Sequence, residues 1–237
     1  MALTQAVLLT GATGSLGSVI LEQLLDNGYL VTAVLRSFQR SKSYLEHKYD
    51  KEVADHKLQF VEIPDMTVSN AFQGATQGVA AIIHVATPLA KDNFVEAMIK
   101  PGNLIIDNIL RAATHSTTIK RVIVTGSIVE TFNSLHFMEG PKTITEADFN
   151  DITLDDALKK VSLAYTYSKT SAECRAWEYM HQSPRSFDLI FLLAPSIFGR
   201  SIQAGFKAVK GDLGGIAAIF RELFDRGSLG FLFPYIM

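Results

Sequence analysis

Three glycines between an apolar run and an amphipathic stretch constrain the fold of this chain more than any other sequence feature. The apolar residues 6–9 precede Gly11, Gly14 and Gly17, and apolar side chains then recur at helical spacing from Leu16. This pattern predicts a buried strand, a tight turn and a helix. Because glycine permits a close approach and a helix start offers free N–H groups, such a turn suits a phosphate. The spacing Gly-x-x-Gly-x-x-Gly is a variant of the dinucleotide fingerprint and predicts nucleotide binding.

Apolar runs alternate with helical patterns along most of the chain. We predict strands over 6–10, 30–35, 58–63, 79–85, 121–126 and 187–194, and helices over 16–27, 38–50, 68–75, 92–114, 164–181 and 215–226. Continuous apolar strands indicate burial on both faces. The predicted fold class is α/β, a doubly wound parallel sheet (Rossmann-like) with a truncated C-terminal substrate region. We expect residues 1–199 to form the dinucleotide-binding domain with its catalytic segment, and 200–237 a partial substrate-binding region.

Composition gives no reason to expect a nucleic acid or a membrane as partner. The chain has 237 residues, is 48% hydrophobic and carries a net formal charge of −2. We expect no spanning helix, no signal peptide and a cytoplasmic, reducing environment, because apolar runs are short and Cys174 is the single cysteine. Cys174 itself is predicted to be a small packing residue. In the long polar connection 128–163, five acidic residues are predicted to form a solvated surface rather than a metal site: Glu146, Asp148, Asp151, Asp155 and Asp156.

The residue that closes the second strand distinguishes the two nicotinamide dinucleotides. An NAD-binding unit places an acidic residue there, which accepts hydrogen bonds from the ribose hydroxyls. Here Arg36 follows the strand, and no carboxylate lies between Asp26 and Glu46. A guanidinium pairs with a phosphate, whereas a carboxylate repels one. The sequence therefore predicts NADP; the alternative is an ordinary solvated basic loop.

A tyrosine, a lysine and a serine suggest the chemistry. Tyr165 and Lys169 are four residues apart in a helical pattern and so share a face. The ammonium is expected to lower the pKa of the phenol, which makes it a better acid–base group. Ser127 ends the strand 121–126, at the sheet edge where open parallel sheets bind ligands. Taken singly, the pair can be a surface helix pair and Ser127 a turn residue.

With these motifs in order, the chain resembles the short-chain dehydrogenase/reductase superfamily. The resemblance is to its extended, atypical branch, with the dihydroflavonol reductases, cinnamoyl-CoA reductases and fungal aldehyde or ketone reductases. It runs from about residue 5 to about residue 200 and rests on segments 10–17, 36–37, 65–66, 84–88, 108–113, 121–127, 165–169 and 195–199. It implies Ser127, Tyr165 and Lys169 as the catalytic triad. It implies a cofactor site formed by Gly11, Thr13, Gly14, Ser15, Leu16, Gly17, Arg36, Asp65, Met66, Ala86, Thr87, Tyr165, Lys169, Pro195 and Ile197.

The chain departs from this family at several positions. Ile105, Gly126, Ala194 and Arg200 stand where relatives often carry glycine, serine, asparagine and proline. Family members also continue well past the position of Tyr235. We therefore expect a cleft that is open on its substrate side, with Phe231, Leu232 and Phe233 disordered or covered by another subunit.

These observations predict an NADPH-dependent carbonyl reductase. We expect it to transfer a hydride to a ketone or aldehyde of a small, aromatic or polyketide-like molecule, with Tyr165 as general acid. A role in secondary metabolism and a monomeric or homodimeric state are expected. Two alternatives stay open: a non-catalytic NADP-binding regulator or inactive truncated relative, and a sugar-nucleotide epimerase or dehydratase. Arg36 argues against the epimerase, which would keep NAD tightly bound.

Overall fold

The chain divides into two compact units, Met1–Pro195 and Ser196–Met237. A computed structural model describes residues 5–132, 143–182, 184–197 and 202–203. All the elements given below belong to the first unit. The predicted helix 215–226 and the apolar residues 231–233 lie outside the described residues.

Six parallel strands form the described sheet. They are β1 (Ala6–Thr10), β2 (Leu30–Leu35), β3 (Leu58–Glu62), β4 (Ala81–His84), β5 (Arg121–Ser127) and β6 (Asp188–Ala194), in the spatial order β3-β2-β1-β4-β5-β6. All five pairings are parallel. This confirms the predicted doubly wound sheet. Because the strand order reverses between β1 and β4, a ligand crevice is expected beyond the carboxyl ends of these two strands.

The helices lie between the strands in sequence. They are α1 (Ser15–Asp26), α2 (Phe38–Lys48), α3 (Asp50–Ala54), α4 (Lys100–His115), α5 (Leu154–Ala157) and α6 (Val161–His181). A π-helical segment, Val95–Ile99, leads directly into α4, and a 3₁₀ turn, Ile128–Glu130, follows β5. The predicted helix 38–50 is thus two helices that meet at Tyr49. The long connection 128–163 contains α5, and α6 begins before the predicted residue 164.

The predicted helix 68–75 is wrong, because residues 66–78 form turns. Asn70 takes a left-handed conformation with φ 62°, which a helix cannot contain. Phe72 is nevertheless fully buried, so its apolar side chain serves the core without a helix. Asn108 of α4 ties this segment down, since its Nδ2 donates hydrogen bonds to the carbonyl oxygens of Met66 and Val68, at 3.0 and 2.9 Å.

The core consists of one apolar layer on each face of the sheet. Successive strand residues point to opposite faces, so Leu8 lies in one layer and Leu9 in the other. The Leu8 layer includes residues of α4 and α6: Ile105, Ile106, Ile109, Leu110, Ala113, Ala172 and Ala176. The Leu9 layer includes residues of α1 and α2: Leu21, Leu25 and Leu45. Helix α6, which carries Tyr165 and Lys169, is therefore fixed against the sheet by its apolar face.

Candidate active site

The turn between β1 and α1 is packed too closely for side chains. Gly11 has φ +74°, and a Cβ placed there would lie 2.8 Å from the backbone nitrogen of Ala86. A Cβ on Gly17 would overlap the carbonyl oxygen of Gly11. The two glycines thus let the turn contact both α1 and the segment that follows β4.

The start of α1 is suited to an anion. Gly14 is the N-cap, has no side chain to cap the helix, and no acidic residue occupies the first turn. The first backbone N–H groups of α1 and its positive dipole end are therefore directed at the crevice. We call residues 11–17 the glycine cradle; they include the predicted cofactor residues Thr13, Ser15 and Leu16. A close-packed glycine turn before an uncapped helix fits the pyrophosphate of a dinucleotide.

Thr10 and His84 join the carboxyl ends of β1 and β4. The Thr10 hydroxyl oxygen accepts the backbone N–H groups of Val85 and Ala86, at 3.1 and 3.3 Å. It lies 2.7 Å from His84 Nδ1. Because both accepting positions are used, the hydroxyl donates to Nδ1, and the imidazole proton resides on Nε2. Burial and the charge of Lys169 lower the pKa of His84 to about 3, so this ring is neutral and structural.

This bridge positions the predicted cofactor residues Ala86 and Thr87. Sequence analysis missed the role of Thr10, although a threonine directly before the first glycine of the cradle was a usable signal.

Arg36 and Asp65 lie beyond the carboxyl ends of β2 and β3, and both are exposed. Asp65 Oδ1 accepts hydrogen bonds from the backbone N–H and the hydroxyl of Thr67, at 2.8 and 2.6 Å. These bonds lower the pKa of Asp65, and the charge of Arg36 adds to the effect. The adjacent Met66 is half-buried and is held by Asn108 as described above. The structure therefore brings Arg36 and Asp65 to the same edge of the sheet.

Glu62 is a carboxylate at this edge that sequence analysis missed. It pairs in register with Leu35, and its Oε1 accepts the backbone N–H of Phe38 at 2.6 Å. The carboxylate therefore caps the start of α2, two residues after Arg36 in the chain. A search along the sequence between Asp26 and Glu46 could not find it, because β3 supplies it from 24 residues away.

Ser127, Tyr165 and Lys169 meet at the carboxyl end of β5. Tyr165 and Lys169 lie one turn apart on α6, and the Tyr165 phenol lies close enough to the Ser127 side chain for the serine to oppose the rise of its pKa. Lys169 Nζ donates to the carbonyl oxygen of Thr125 at 2.7 Å. The three residues thus lie together at the carboxyl end of β5.

Burial dominates the protonation of this group. It raises the pKa of Tyr165 above its usual value; the Ser127 side chain opposes this rise and the charge of Glu130 adds to it. The pKa of Tyr165 is therefore raised, whereas the sequence predicted that Lys169 would lower it. Burial likewise lowers the pKa of Lys169, while the carboxyls of Glu130 and Glu173 raise it. As a result the phenol keeps its proton at neutral pH, which is the form that can donate one.

Polar contacts between α4 and α6 fix the helix that carries Tyr165. Arg175 binds the carboxylate of Asp107 with two hydrogen bonds of 2.7 Å. Nearer the site, Ser171 donates to the side chain of Asn103 on α4 at 3.1 Å, and Ser168 donates to the carbonyl oxygen of Met98, in the π-helical segment before α4, at 3.2 Å. A bidentate pair specifies geometry as well as energy. The register of α6 relative to α4, and hence the position of Tyr165, follows from these contacts.

Glu130 is a second carboxylate that sequence analysis missed. It is fully buried, and one of its oxygens accepts the backbone N–H of Ser127. The signal was present, since Ser127 and Glu130 have the spacing of a capping box.

The remaining predicted residues lie at the end of β6. Pro195 follows this strand and is exposed, and Ile197 falls in the second unit, where it is also exposed. Burial raises the pKa of the Cys174 thiol, which fits a packing role. Within the described ranges, no cluster of three His, Cys, Asp or Glu side chains could hold a metal, and no helix could cross a membrane.

A cavity of about 550 Å³ lies at the other edge of the sheet. Gly78 and Thr118, which line it, precede the amino ends of β4 and β5. Because all strands are parallel, this edge is opposite to Ser127. The cavity is therefore separate from the candidate active site.

Three comparisons place the chain among known proteins. The NAD-dependent epimerase/dehydratase ALT6 of Alternaria alternata is 34% identical over 204 residues, covering 81% of this chain and 57% of the relative. Vestitone reductase of Medicago sativa is 32% identical over 203 residues, covering 83% and 59%. The crystal structure of yeast methylglyoxal/isovaleraldehyde reductase Gre2 complexed with NADPH matches with a TM-score of 0.76 and 22% identity, covering 84% and 60%. This last likeness is one of fold.

The chain spans less than two thirds of the length of these relatives. A model of the family described as "NAD dependent epimerase/dehydratase family" matches residues 7–213. This match confirms the resemblance drawn from the motifs. The chain belongs to the NAD dependent epimerase/dehydratase family.

Proposed function

We propose that this chain carries the NADPH-binding and catalytic part of a reductase that converts a ketone or aldehyde to an alcohol. The observation that carries the proposal is the position of the half-buried Tyr165 beside Ser127 at the carboxyl end of β5. Lys169 lies one turn further along α6 and donates to Thr125. A phenol that keeps its proton, beside a hydroxyl, is a donor pair for an oxygen that gains negative charge.

Each part of the site has one task in this proposal. The glycine cradle holds the pyrophosphate, Arg36 pairs with the 2′-phosphate, and Lys169 holds the nicotinamide ribose. Bound NADPH supplies the hydride. Ser127 orients the carbonyl oxygen of the substrate, and Tyr165 donates its proton to that oxygen as the alkoxide forms. The raised pKa of Tyr165 supports this direction, because the proton is present before the reaction begins.

We propose a small aromatic or polyketide-like carbonyl compound as substrate. The support comes from two relatives whose names state the compound that they reduce: vestitone reductase and anthocyanidin reductase, whose matches cover 83% and 81% of this chain. We also propose a cytoplasmic monomer or homodimer.

One observation favours the epimerase or dehydratase alternative. Glu62 places a carboxylate at the start of α2, near the position where NAD-binding units use one for the ribose hydroxyls. Arg36 opposes this alternative, because a guanidinium at the strand end suits a phosphate. Purified protein that retains NAD would reverse this ranking.

The decisive experiment measures cofactor binding and turnover separately. NADPH oxidation is followed with methylglyoxal, isovaleraldehyde and a series of aromatic ketones, and NADPH affinity is measured by titration without substrate. We expect saturable NADPH binding and turnover of at least one carbonyl compound. Tight NADPH binding without turnover on any of them would establish the non-catalytic alternative instead.

A further inference from the structure

A buried carboxyl group next to the candidate catalytic serine has no role in the mechanism above. Glu130 is 0% exposed and lies on the 3₁₀ turn that follows β5. Its Oε1 accepts the backbone N–H of Ser127, whereas Oε2 has no hydrogen-bond partner within the described part of the chain. A fully buried carboxylate with one unpartnered oxygen is costly unless that oxygen carries a proton.

A second buried carboxyl faces the first. Glu173 on α6 is 5% exposed and interacts with the Glu130 side chain. Trp177 Nε1 donates to Glu173 Oε1 at 3.2 Å, so this oxygen is already satisfied. With Lys169 the cluster contains two carboxyls and one ammonium. One shared proton makes the cluster neutral, which burial favours over a net negative charge.

Gly126 leaves the room that this carboxyl occupies. A Cβ at position 126 would lie 2.9 Å from Glu130 Oε1 and 3.3 Å from Oε2, and would overlap the side chain of Leu193. A larger residue would therefore move the Glu130 carboxyl off the Ser127 N–H. The glycine and the glutamate belong to one arrangement.

We propose that Glu130 is a positioning residue that acts in its acid form: its carbonyl oxygen holds the Ser127 N–H while its O–H donates to Glu173. This bond network fixes Ser127, whose hydroxyl meets Tyr165, and the catalytic consequence rests on the proposed reductase function. The titratable groups that face Glu130 from the described elements are all on α6: Tyr165, Lys169, Glu173 and Cys174. Strand β5 adds the Ser127 N–H, and β6 the apolar Leu193.

The protonation of Glu130 supports this geometry. Burial raises its pKa to about 8, with Glu173 contributing, against the opposing effects of Lys169 and the Ser127 N–H. A carboxyl whose pKa is higher in the folded chain takes up a proton on folding. The contribution of the protonated carboxyl to stability is therefore complete below the unfolded value of 4.5 and is lost as the pH rises toward about 8.

Glu130→Gln and Glu130→Ala separate the two parts of the proposal. Glutamine imitates the acid form, since its carbonyl accepts from Ser127 and its amide N–H₂ donates to Glu173; alanine provides neither group. We expect the Ser127 amide proton, followed by NMR hydrogen exchange, to stay protected in wild type and Glu130→Gln and to exchange faster in Glu130→Ala. Glu178→Gln, an exposed acid on the same helix, is the matched control and should leave exchange unchanged.

The acid form is tested by melting temperature against pH. Between pH 4.5 and about 8, wild type should lose stability relative to Glu130→Gln, so the difference in Tm should widen as the pH rises. A constant difference would overturn the acid form. Equal exchange of Ser127 in all variants would overturn the positioning role.

Turnover is a third and separate readout. In an active chain, Glu130→Ala should lower kcat about tenfold, the loss expected for one buried hydrogen bond, while NADPH affinity holds and Glu130→Gln restores most of kcat. An unchanged kcat in Glu130→Ala would overturn the link to catalysis. If no carbonyl compound is reduced while exchange and Tm behave as expected, the proposed function fails and the carboxyl pair stands.

Discussion

The two halves of the candidate site are built from different materials. On the β1 side, the glycine cradle is made of backbone: Gly11 and Gly17 are there because side chains would collide with neighbouring backbone. On the β5 side, side chains form the site: Tyr165 lies beside Ser127, and Lys169 donates to the Thr125 carbonyl. The two halves differ in material, although both bring distant residues together: Gly11 lies against Ala86, and Lys169 binds the Thr125 carbonyl.

This difference determines how each half responds to change. Backbone geometry in the cradle tolerates no added atom, so substitutions there should act on folding and cofactor binding together. The side chains of the β5 half rest on a packed helix and strand, so conservative substitutions there should change chemistry and leave the fold intact. Substitutions in each half test whether effects on folding and effects on chemistry separate in this way.

Tyr165→Phe should have the largest effect, and on chemistry alone. Because a positioned general acid contributes roughly 10²- to 10⁴-fold, kcat should fall by at least about 100-fold while NADPH affinity stays unchanged. Steady-state kinetics and a binding titration measure the two quantities. Tyr167→Phe, on another face of α6, is the matched control.

If Tyr165→Phe kept most of its activity, the assignment of the acid would be wrong.

Lys169→Ala should lower both kcat and NADPH affinity, because Lys169 is assigned to the nicotinamide ribose and lies beside Tyr165. The same kinetics and titration measure the two effects.

Gly17→Ala should damage the cradle. The added methyl overlaps the Gly11 carbonyl oxygen, so α1 and the turn must separate. Overpacking of this kind costs roughly 1–3 kcal/mol of unfolding free energy, and NADPH affinity should fall with it. Chemical denaturation measures the first effect and a titration the second.

Gly74→Ala is the control for this substitution, because nothing lies within 4 Å of a Cβ built at Gly74. An equal effect of the two substitutions would refute the close-packing argument.

Arg36→Ala should reduce the preference for NADPH over NADH. A charge-assisted pair with the 2′-phosphate contributes roughly 1.5–3 kcal/mol, so the preference in wild type should be about tenfold or more and most of it should disappear. Dissociation constants for both cofactors give the result. Arg40→Ala tests the next cation along the chain, and equal wild-type affinity for NADPH and NADH would contradict the assignment.

Glu62→Gln should produce the smallest change, a rise in NADPH affinity. The amide still accepts the Phe38 N–H, while the negative charge near the 2′-phosphate is removed. Because Glu62 is exposed, the gain should be only severalfold, roughly 1 kcal/mol or less, and should shrink as salt is added. Asp55→Asn, at the amino end of β3, is the matched control. A fall in NADPH affinity would show that Glu62 helps to hold the cofactor.

The strands could be predicted almost to the residue, and the helix 68–75 could not. Buried parallel strands are continuous apolar runs, and these runs stand out from the polar sequence around them. Residues 68–75 carry apolar side chains at helical spacing, yet Asn70 is left-handed and Phe72 reaches the core from a turn. Helical spacing alone cannot distinguish these cases, because tertiary contacts such as those of Asn108 decide between them.

The candidate site divides in the same way. The glycine cradle and the Tyr165–Lys169 spacing are local patterns, so they could be recognised without a structure. Glu62 and Glu173 could not, because each acts on a residue brought to it by a strand pairing or by helix packing. The expected lowering of the Tyr165 pKa by Lys169 failed for a related reason: burial raises this pKa and the charge of Glu130 adds to the rise, and both are properties of the fold.

The sequence by itself determined the buried strands, the glycine turn and the order of the candidate site residues, because each of these patterns depends on neighbours within a few positions. Only the tertiary structure decided the charges around them. The proton that Tyr165 keeps, the neutral ring of His84 and the buried carboxyl of Glu130 all follow from removal of water by distant segments. Desolvation acts through space rather than along the chain, so it becomes visible only once the chain is folded.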